Sequence, residues 1–166
     1  MKAIVHVDKN WGIGRDNSLM FRLPADMKFF RELTVGNTVV MGANTLRSLP
    51  GAKPLKDRLN IVLSSSLPYS DDYMVVRNIE ALSSAIDCAK GEVYVIGGAA
   101  IYRMLLPYCA EALVTKVAAD GNADVFFPDL DKDESFYLCC EGDEIETNGF
   151  KIKFCTYANR YVKPLK

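Results

Sequence analysis

The sequence predicts an α/β protein with a mostly parallel central sheet, an antiparallel C-terminal edge and flanking helices, and three observations carry that reading. Short apolar runs recur through the first hundred residues or so, each bounded by turn-forming residues. Stretches of helical spacing fall between them. Beyond Pro107 the runs are strand-like only, which suits hairpins closing one side of the sheet.

Taken in order, Lys2–Val7 reads as a strand and Asp8–Asn17 as a long, turn-rich loop carrying Trp11. A helix begins near Pro24, where a missing N–H costs nothing, and runs to Leu33. Thr38–Met41 is a short apolar strand ended by Gly42, followed by a short helix over Thr45–Leu49 and a loop over Pro50–Lys56. Leu59–Leu63 is a strand, Ser64-Ser65-Ser66 its exit, and Tyr73–Val76 a further strand. A helix over Ile79–Ala89 precedes the strand Glu92–Ile96, and Gly97-Gly98 then opens a helix containing Ile101, Leu105 and Leu106 that stops at Pro107. Ala112–Ala119, Ser135–Cys140 and Phe150–Tyr161 are strand-rich, the last two pairing antiparallel.

With 166 residues, 49% of them hydrophobic, the chain has material for one well-buried core, so a single domain over 1–166 is expected. A net charge of -1 argues against nucleic acid as a partner. Five cysteines without CxxC or Cys/His spacing point to reduced structural thiols, no metal site and a cytoplasmic setting. No apolar run is long enough for a membrane span, and the first strand is too short for a secretion signal.

The central candidate is Asp26, which shares one helix side with Phe29, Phe30 and Leu33. A first-turn carboxylate can simply answer the free N–H groups and dipole of its helix. The alternative is a partly buried acid facing a cleft, where a cationic or N–H-rich ligand would satisfy it. Gly42-Ala43-Asn44-Thr45, Ser64-Ser65-Ser66 and Gly97-Gly98-Ala99-Ala100 are junctions where backbone could meet phosphates, although each also suits a plain tight turn. Arg77 could reach an adenosine 2′-phosphate or be a solvated strand-end residue. Lys53 and Arg58 could pair with a substrate carboxylate or serve solubility. His6, within a strand and without a nucleophile motif nearby, reads as a pocket-lining residue.

In order and spacing, Gly12-Ile13-Gly14, Leu23-Pro24-Ala25-Asp26 with Phe30, Val40-Met41-Gly42 with Thr45 and Ser48, Arg58–Ser64, Val95-Ile96-Gly97-Gly98 with Ile101-Tyr102, Thr115 and Phe126-Phe127-Pro128-Asp129 resemble dihydrofolate reductase along nearly the whole chain. That resemblance implies a dihydrofolate-reductase-like fold and NADPH-dependent reduction of dihydrofolate by a monomer, with antifolates as inhibitors. It casts Asp26 as the acid holding the 2-amino and N3 edge of the pterin, with Thr115 tied to it. It places Ile4, Val5, Met27, Phe30, Leu49, Lys53, Arg58 and Ile96 around the substrate, Arg58 on the glutamate carboxylate. His6, Ile13, Gly14, Leu19, Gly42, Asn44, Thr45, Ser64, Ser65, Arg77, Ile96, Gly97, Gly98, Ala99, Ala100 and Tyr102 fall to the cofactor.

Three positions depart from the family's pattern: Phe21 stands where a tryptophan is usual, His6 where a small alanine is usual, and Ala43 where a basic residue is expected. Two rival readings are a pyrimidine reductase of riboflavin synthesis with the same fold, which would need neither Asp26 on an apolar face nor Arg58 as a clamp, and a folate- and NADPH-binding module with little turnover.

Overall fold

The computed structural model describes residues 1–89 and 91–166. Its elements in chain order are β1 (Lys2–Val7), β2 (Gly12–Gly14), α1 (Pro24–Thr34), β3 (Thr38–Met41), α2 (Ala43–Ser48), β4 (Leu59–Leu63), β5 (Met74–Val76) and α3 (Ile79–Asp87). They continue with β6 (Val93–Gly97), α4 (Ala99–Leu105), β7 (Glu111–Val117), β8 (Val125–Phe126), β9 (Phe136–Glu141), β10 (Ile145–Thr147) and β11 (Phe150–Asn159).

The main sheet runs β10-β11-β7-β1-β6-β3-β4-β5, with β9 also paired to β11. From β7 to β5 every pairing is parallel, and β11 joins β7 antiparallel, as the strand patterns predict. Strands buried on both faces need largely apolar side chains, which is why Val39–Met41 and Ile61–Leu63 are unbroken buried apolar runs. One core, containing Val5, Val7, Val40, Val95 and Leu105, fills one side of the sheet. Another, with Ile4, Val39, Met41 and Tyr94, takes Phe29, Phe30 and Leu33 of α1 against the opposite side.

The differences from the sequence reading are local. α2 starts at Ala43 instead of Thr45, because Gly42 in extended conformation serves as its N-cap, and Pro50 opens a separate 3₁₀ turn after it. The long first loop contains β2, paired with β8 near residue 125. Gly12 is required there, since a Cβ would overlap Ala123. The acidic stretch before Phe150 contains β10, a short hairpin partner of β11.

The feature that positions the site is an uneven first strand. β1 pairs with β7 along six residues, from Lys2↔Glu111 to Val7↔Lys116, but with β6 only at Lys2↔Tyr94 and Ala3↔Val95. Beyond Ala3 the sheet therefore parts between β1 and β6, at the carboxyl ends of parallel strands where α/β folds bind ligands. The Tyr102 hydroxyl of α4 donates to the Ile4 carbonyl across this opening at 2.7 Å.

Candidate active site

α1 begins with Pro24 directly after Leu23, and no side chain caps it in the usual way. Its first turn is fastened from outside, where Thr147 Oγ1 of β10 accepts the Ala25 N–H at 3.2 Å. Asp26 is thus not spent on the helix end. Its Oδ1 accepts the Thr115 hydroxyl at 2.6 Å, and its Oδ2 lies 3.3 Å from His6 Nδ1. Its side chain is 16% exposed and that of His6 7%, while Thr115 is buried. An ionised carboxyl has only acceptor sites, about four of them, so two ligand N–H groups can still bind it.

His6 and Thr115 are cross-strand partners on β1 and β7. Strand alternation puts both on the α1 side of the sheet, which is how three residues far apart in sequence converge. Phe21 packs its ring 6.3 Å from the His6 ring and 4.9 Å from Phe150, sealing that flank with Leu23, Val117 and Ile152. Tyr102 is buried; this and the nearby Asp26 charge push its phenol above its ordinary range, so it remains a hydrogen-bond donor.

Along α1 from Asp26, Phe30 and Leu33 pack with Ile96, and with Leu49 from the end of α2, against the Ile4 cluster and form an apolar wall. At the far end, about 12 Å along the helix axis from Asp26, Thr34 Oγ1 accepts Arg58 Nε at 2.8 Å, and the Lys56 carbonyl accepts Nη1 at 2.8 Å. These bonds fix the guanidinium plane near the Phe30 ring, at 5.9 Å. Burial, then the neighbouring Arg31, lowers the Arg58 pKa from its ordinary value, yet the group stays cationic.

The glycine junctions also come together. The Gly42 N–H donates to the Gly97 carbonyl at 2.8 Å, which sets the starts of α2 and α4 side by side. Gly97 has φ +128 and a Cβ there would stand 3.3 Å from Thr45 Oγ1 and the Tyr102 ring, so only glycine leaves this backbone open. Gly98 likewise faces Thr45. Farther out, Arg77 Nη1 donates to the carbonyls of Ser64, at 3.0 Å, and Leu67, at 2.6 Å, and stacks 4.4 Å from the Tyr69 ring. Ser64 and Arg77 are therefore one group, with Ser65 exposed beside it.

Some expected residues stand apart. Leu19 is 72% exposed and Met27 57%, and neither belongs to an apolar cluster. Lys53 and Ala100 are exposed, and the Asn44 side chain accepts a bond from Arg47. Ile13 packs on the core, whereas Gly14 is buried where β2 meets β8.

Asp8 is the residue the sequence reading missed. It is buried, its Oδ1 accepts the N–H groups of Asn10 and Gly12, both at 2.8 Å, and its Oδ2 accepts that of Gly121 at 3.0 Å. It pins the first loop to the segment after β7. The Asp-x-Asn spacing is the available signal, a side chain answering backbone two residues on.

A depression of about 310 Å³ lined by Trp11, Lys116, Glu144 and Lys151 contains none of Asp26, His6 and Thr115, and its Lys116 is already paired with Asp131. Among the described residues, no cluster of three His, Cys, Asp or Glu side chains could hold a metal ion, and no helix is long and apolar enough to cross a membrane.

Comparison with known proteins joins this geometry to a family. The family model described as dihydrofolate reductase matches residues 1–159. A dihydrofolate reductase of Schistosoma mansoni is 34% identical, with 95% of each chain covered. One from Bacillus subtilis (strain 168) is 32% identical, covering 95% of this chain and 93% of its own. A solved structure of dihydrofolate reductase from Enterococcus faecalis, complexed with NADP(H) and RAB-propyl, superposes with a TM-score of 0.83 at 31% identity over 95% of both chains.

Proposed function

Because this chain belongs to the dihydrofolate reductase family and reduces dihydrofolate to tetrahydrofolate with NADPH, we propose that Asp26, its two hydrogen-bond partners and the cleft between β1 and β6 perform that reaction as follows. The chain acts as one domain over residues 1–166, as a cytoplasmic monomer. The observation that carries the assignment of roles is the Asp26 carboxylate held by Thr115 at 2.6 Å on the wall of an apolar cleft.

Asp26 accepts the 2-amino and N3 hydrogens of the pterin, and Thr115 keeps its carboxylate in the plane for that paired contact. The apolar wall of Phe30, Leu49, Ile4 and Ile96 takes the ring faces, with Met27 at its rim, while Val5, whose side chain packs into the core on the other side of the sheet, borders the cleft through its backbone. Arg58 receives the glutamate carboxylate, its plane already set by Thr34, and Lys53 adds positive charge nearby. Antifolates that present a similar amino-bearing edge compete for the same carboxylate.

The cofactor's residues fit an extended dinucleotide, since the Gly97–Gly98 backbone is bare where a Cβ would crowd Thr45. Gly42, Gly97, Gly98, Ala99, Ala100, Tyr102, Asn44 and Thr45 line its nicotinamide and pyrophosphate end. Ser64, Ser65 and Arg77 take the adenosine end, where Arg77 answers the 2′-phosphate. NADPH supplies, when bound, the hydride that goes to C6 of dihydrofolate. His6, Ile13, Gly14 and Leu19 flank the nicotinamide, and the segment carrying the last three closes to exclude water. Asp26, engaged with N3, is out of reach of N5, so it polarises the ring while water delivers the proton there.

Replacing Asp26 by Asn tests this. Hydride transfer falls most at neutral pH, where N5 is hardest to protonate, and recovers in part as the pH is lowered. A near-normal rate at neutral pH removes Asp26 from the chemistry. The riboflavin-type pyrimidine reductase reading is not favoured, because it gives neither Asp26 nor Arg58 a role.

A further inference from the structure

The two oxygens of Asp26 are held unequally. Oδ1 has the short bond from Thr115 at 2.6 Å, whereas among the described residues Oδ2 has only His6 Nδ1 at 3.3 Å, the outer edge of hydrogen-bond range. A carboxylate accepts and does not donate, so the hydrogen in the second contact sits on His6 Nδ1. In a neutral imidazole that leaves Nε2 as a bare acceptor. Nε2 is enclosed by protein and has no hydrogen-bond partner among the described residues. Phe21, packed against the ring, offers none.

A buried acceptor without a donor is costly, and at the edge of a ligand cleft a donor brought by the ligand accounts for it. We propose that His6 is a positioning residue of the reaction: its Nδ1–H steers Asp26 Oδ2, and its Nε2 accepts a hydrogen bond from an amino or amide N–H of the heterocycle bound beside Asp26. The inference rests on the functional reading above. Two ligand parts carry that chemistry, the amino-substituted pterin and the carboxamide of the nicotinamide. Nε2 is enclosed in the free protein, so the ligand's donor reaches it only as the imidazole turns; of the two holds on the carboxylate the 3.3 Å contact is the one that yields, while the 2.6 Å bond anchors it from its other side.

His6 is the one histidine in the sequence, so protein labelled with heavy-nitrogen histidine gives a single pair of ring-nitrogen signals. The expected free state is protonated at Nδ1 and bare at Nε2. Saturation with folate alone, or with NADP⁺ alone, moves the Nε2 signal toward that of a hydrogen-bonded acceptor, and the arm that moves it identifies the donor. A proton on Nε2 in the free protein overturns the proposal, as does an Nε2 signal unmoved by both ligands at saturation.

Kinetics supply a second readout. His6→Gln retains an N–H for Asp26 and a carbonyl acceptor, and keeps KM for dihydrofolate or NADPH, whichever ligand supplies the donor, within about threefold. His6→Ala raises that KM about tenfold, with a smaller fall in kcat. Equal effects from both variants overturn the proposal. Turnover by the unsubstituted enzyme is measured alongside, so that failure of the functional reading registers as no NADPH oxidation and failure of this one as an unmoved Nε2 in an active enzyme.

Discussion

Thr115→Val exchanges a hydroxyl for a methyl and so removes one hydrogen-bond donor from the site and little else. Valine matches threonine in shape, suits a strand, and sits here between His6 of β1 and Phe154 of β11, so the sheet is expected to tolerate it. What is lost is the 2.6 Å bond to Asp26 Oδ1. A hydrogen bond to a charged group contributes about 1.5–3 kcal/mol. The carboxylate is 16% exposed, so water replaces part of the bond, and the lower half of that range applies. About 1.5–2 kcal/mol corresponds to a roughly 10- to 30-fold loss in kcat/KM for dihydrofolate. KM for NADPH should stay within about twofold, because Thr115 touches Asp26 and not the glycine junctions. The assay is loss of NADPH absorbance under varied dihydrofolate, with a melting curve to confirm the fold. A fall in kcat/KM of less than about twofold, or an equal loss toward NADPH, would refute the idea that Thr115 acts through the acid.

Three further outcomes follow from the structure. Arg77→Ala should raise KM for NADPH about tenfold or more while leaving KM for NADH nearly unchanged, since only NADPH offers a phosphate to the guanidinium; parallel changes for the two cofactors would move Arg77 out of the adenosine site. Asp8→Asn puts an N–H donor among three backbone N–H groups and should cost about 2 kcal/mol, read as a lower urea midpoint with an unchanged slope; an unchanged midpoint would show the loop is pinned elsewhere. Burial holds Tyr102 and Tyr157 above their ordinary value of 10.0 and pushes the Cys109 thiol up to about 12. The unfolded chain therefore releases these protons first, so their stabilisation is complete below about pH 9 and is lost as pH rises beyond 10. Thermal melts should show this decline, and a Tm rising above pH 10 would contradict it.

What could be read in the sequence was what local pattern encodes. The period that sets Asp26 beside Phe29, Phe30 and Leu33 is a property of eight consecutive residues, and the helix follows it. Parallel strands buried on both faces announce themselves as apolar runs. The partners of Asp26 are another matter, for Thr115 is 89 positions away and only the resemblance connected them. His6 was legible as a pocket residue, but its contact with the acid depends on strand register, which no local signal sets. β2, β8 and β10 are two or three residues long, too short for alternation to show. Asp8 escaped notice because its partners are backbone groups, which every residue carries.

The placement of the first strand has a consequence for synthesis. β1 is sandwiched between β6 and β7, both encoded in the second half of the chain. A ribosome releases β1 early, yet that strand has no neighbour in the sheet to settle against until β6 has emerged, and its longer pairing waits for β7, past residue 111. Such long-range pairing makes for slow, late collapse. During that interval the apolar stretch around Ile4 and Val5 is exposed, and translation speed or a chaperone then governs how much of the newly made chain reaches its native state.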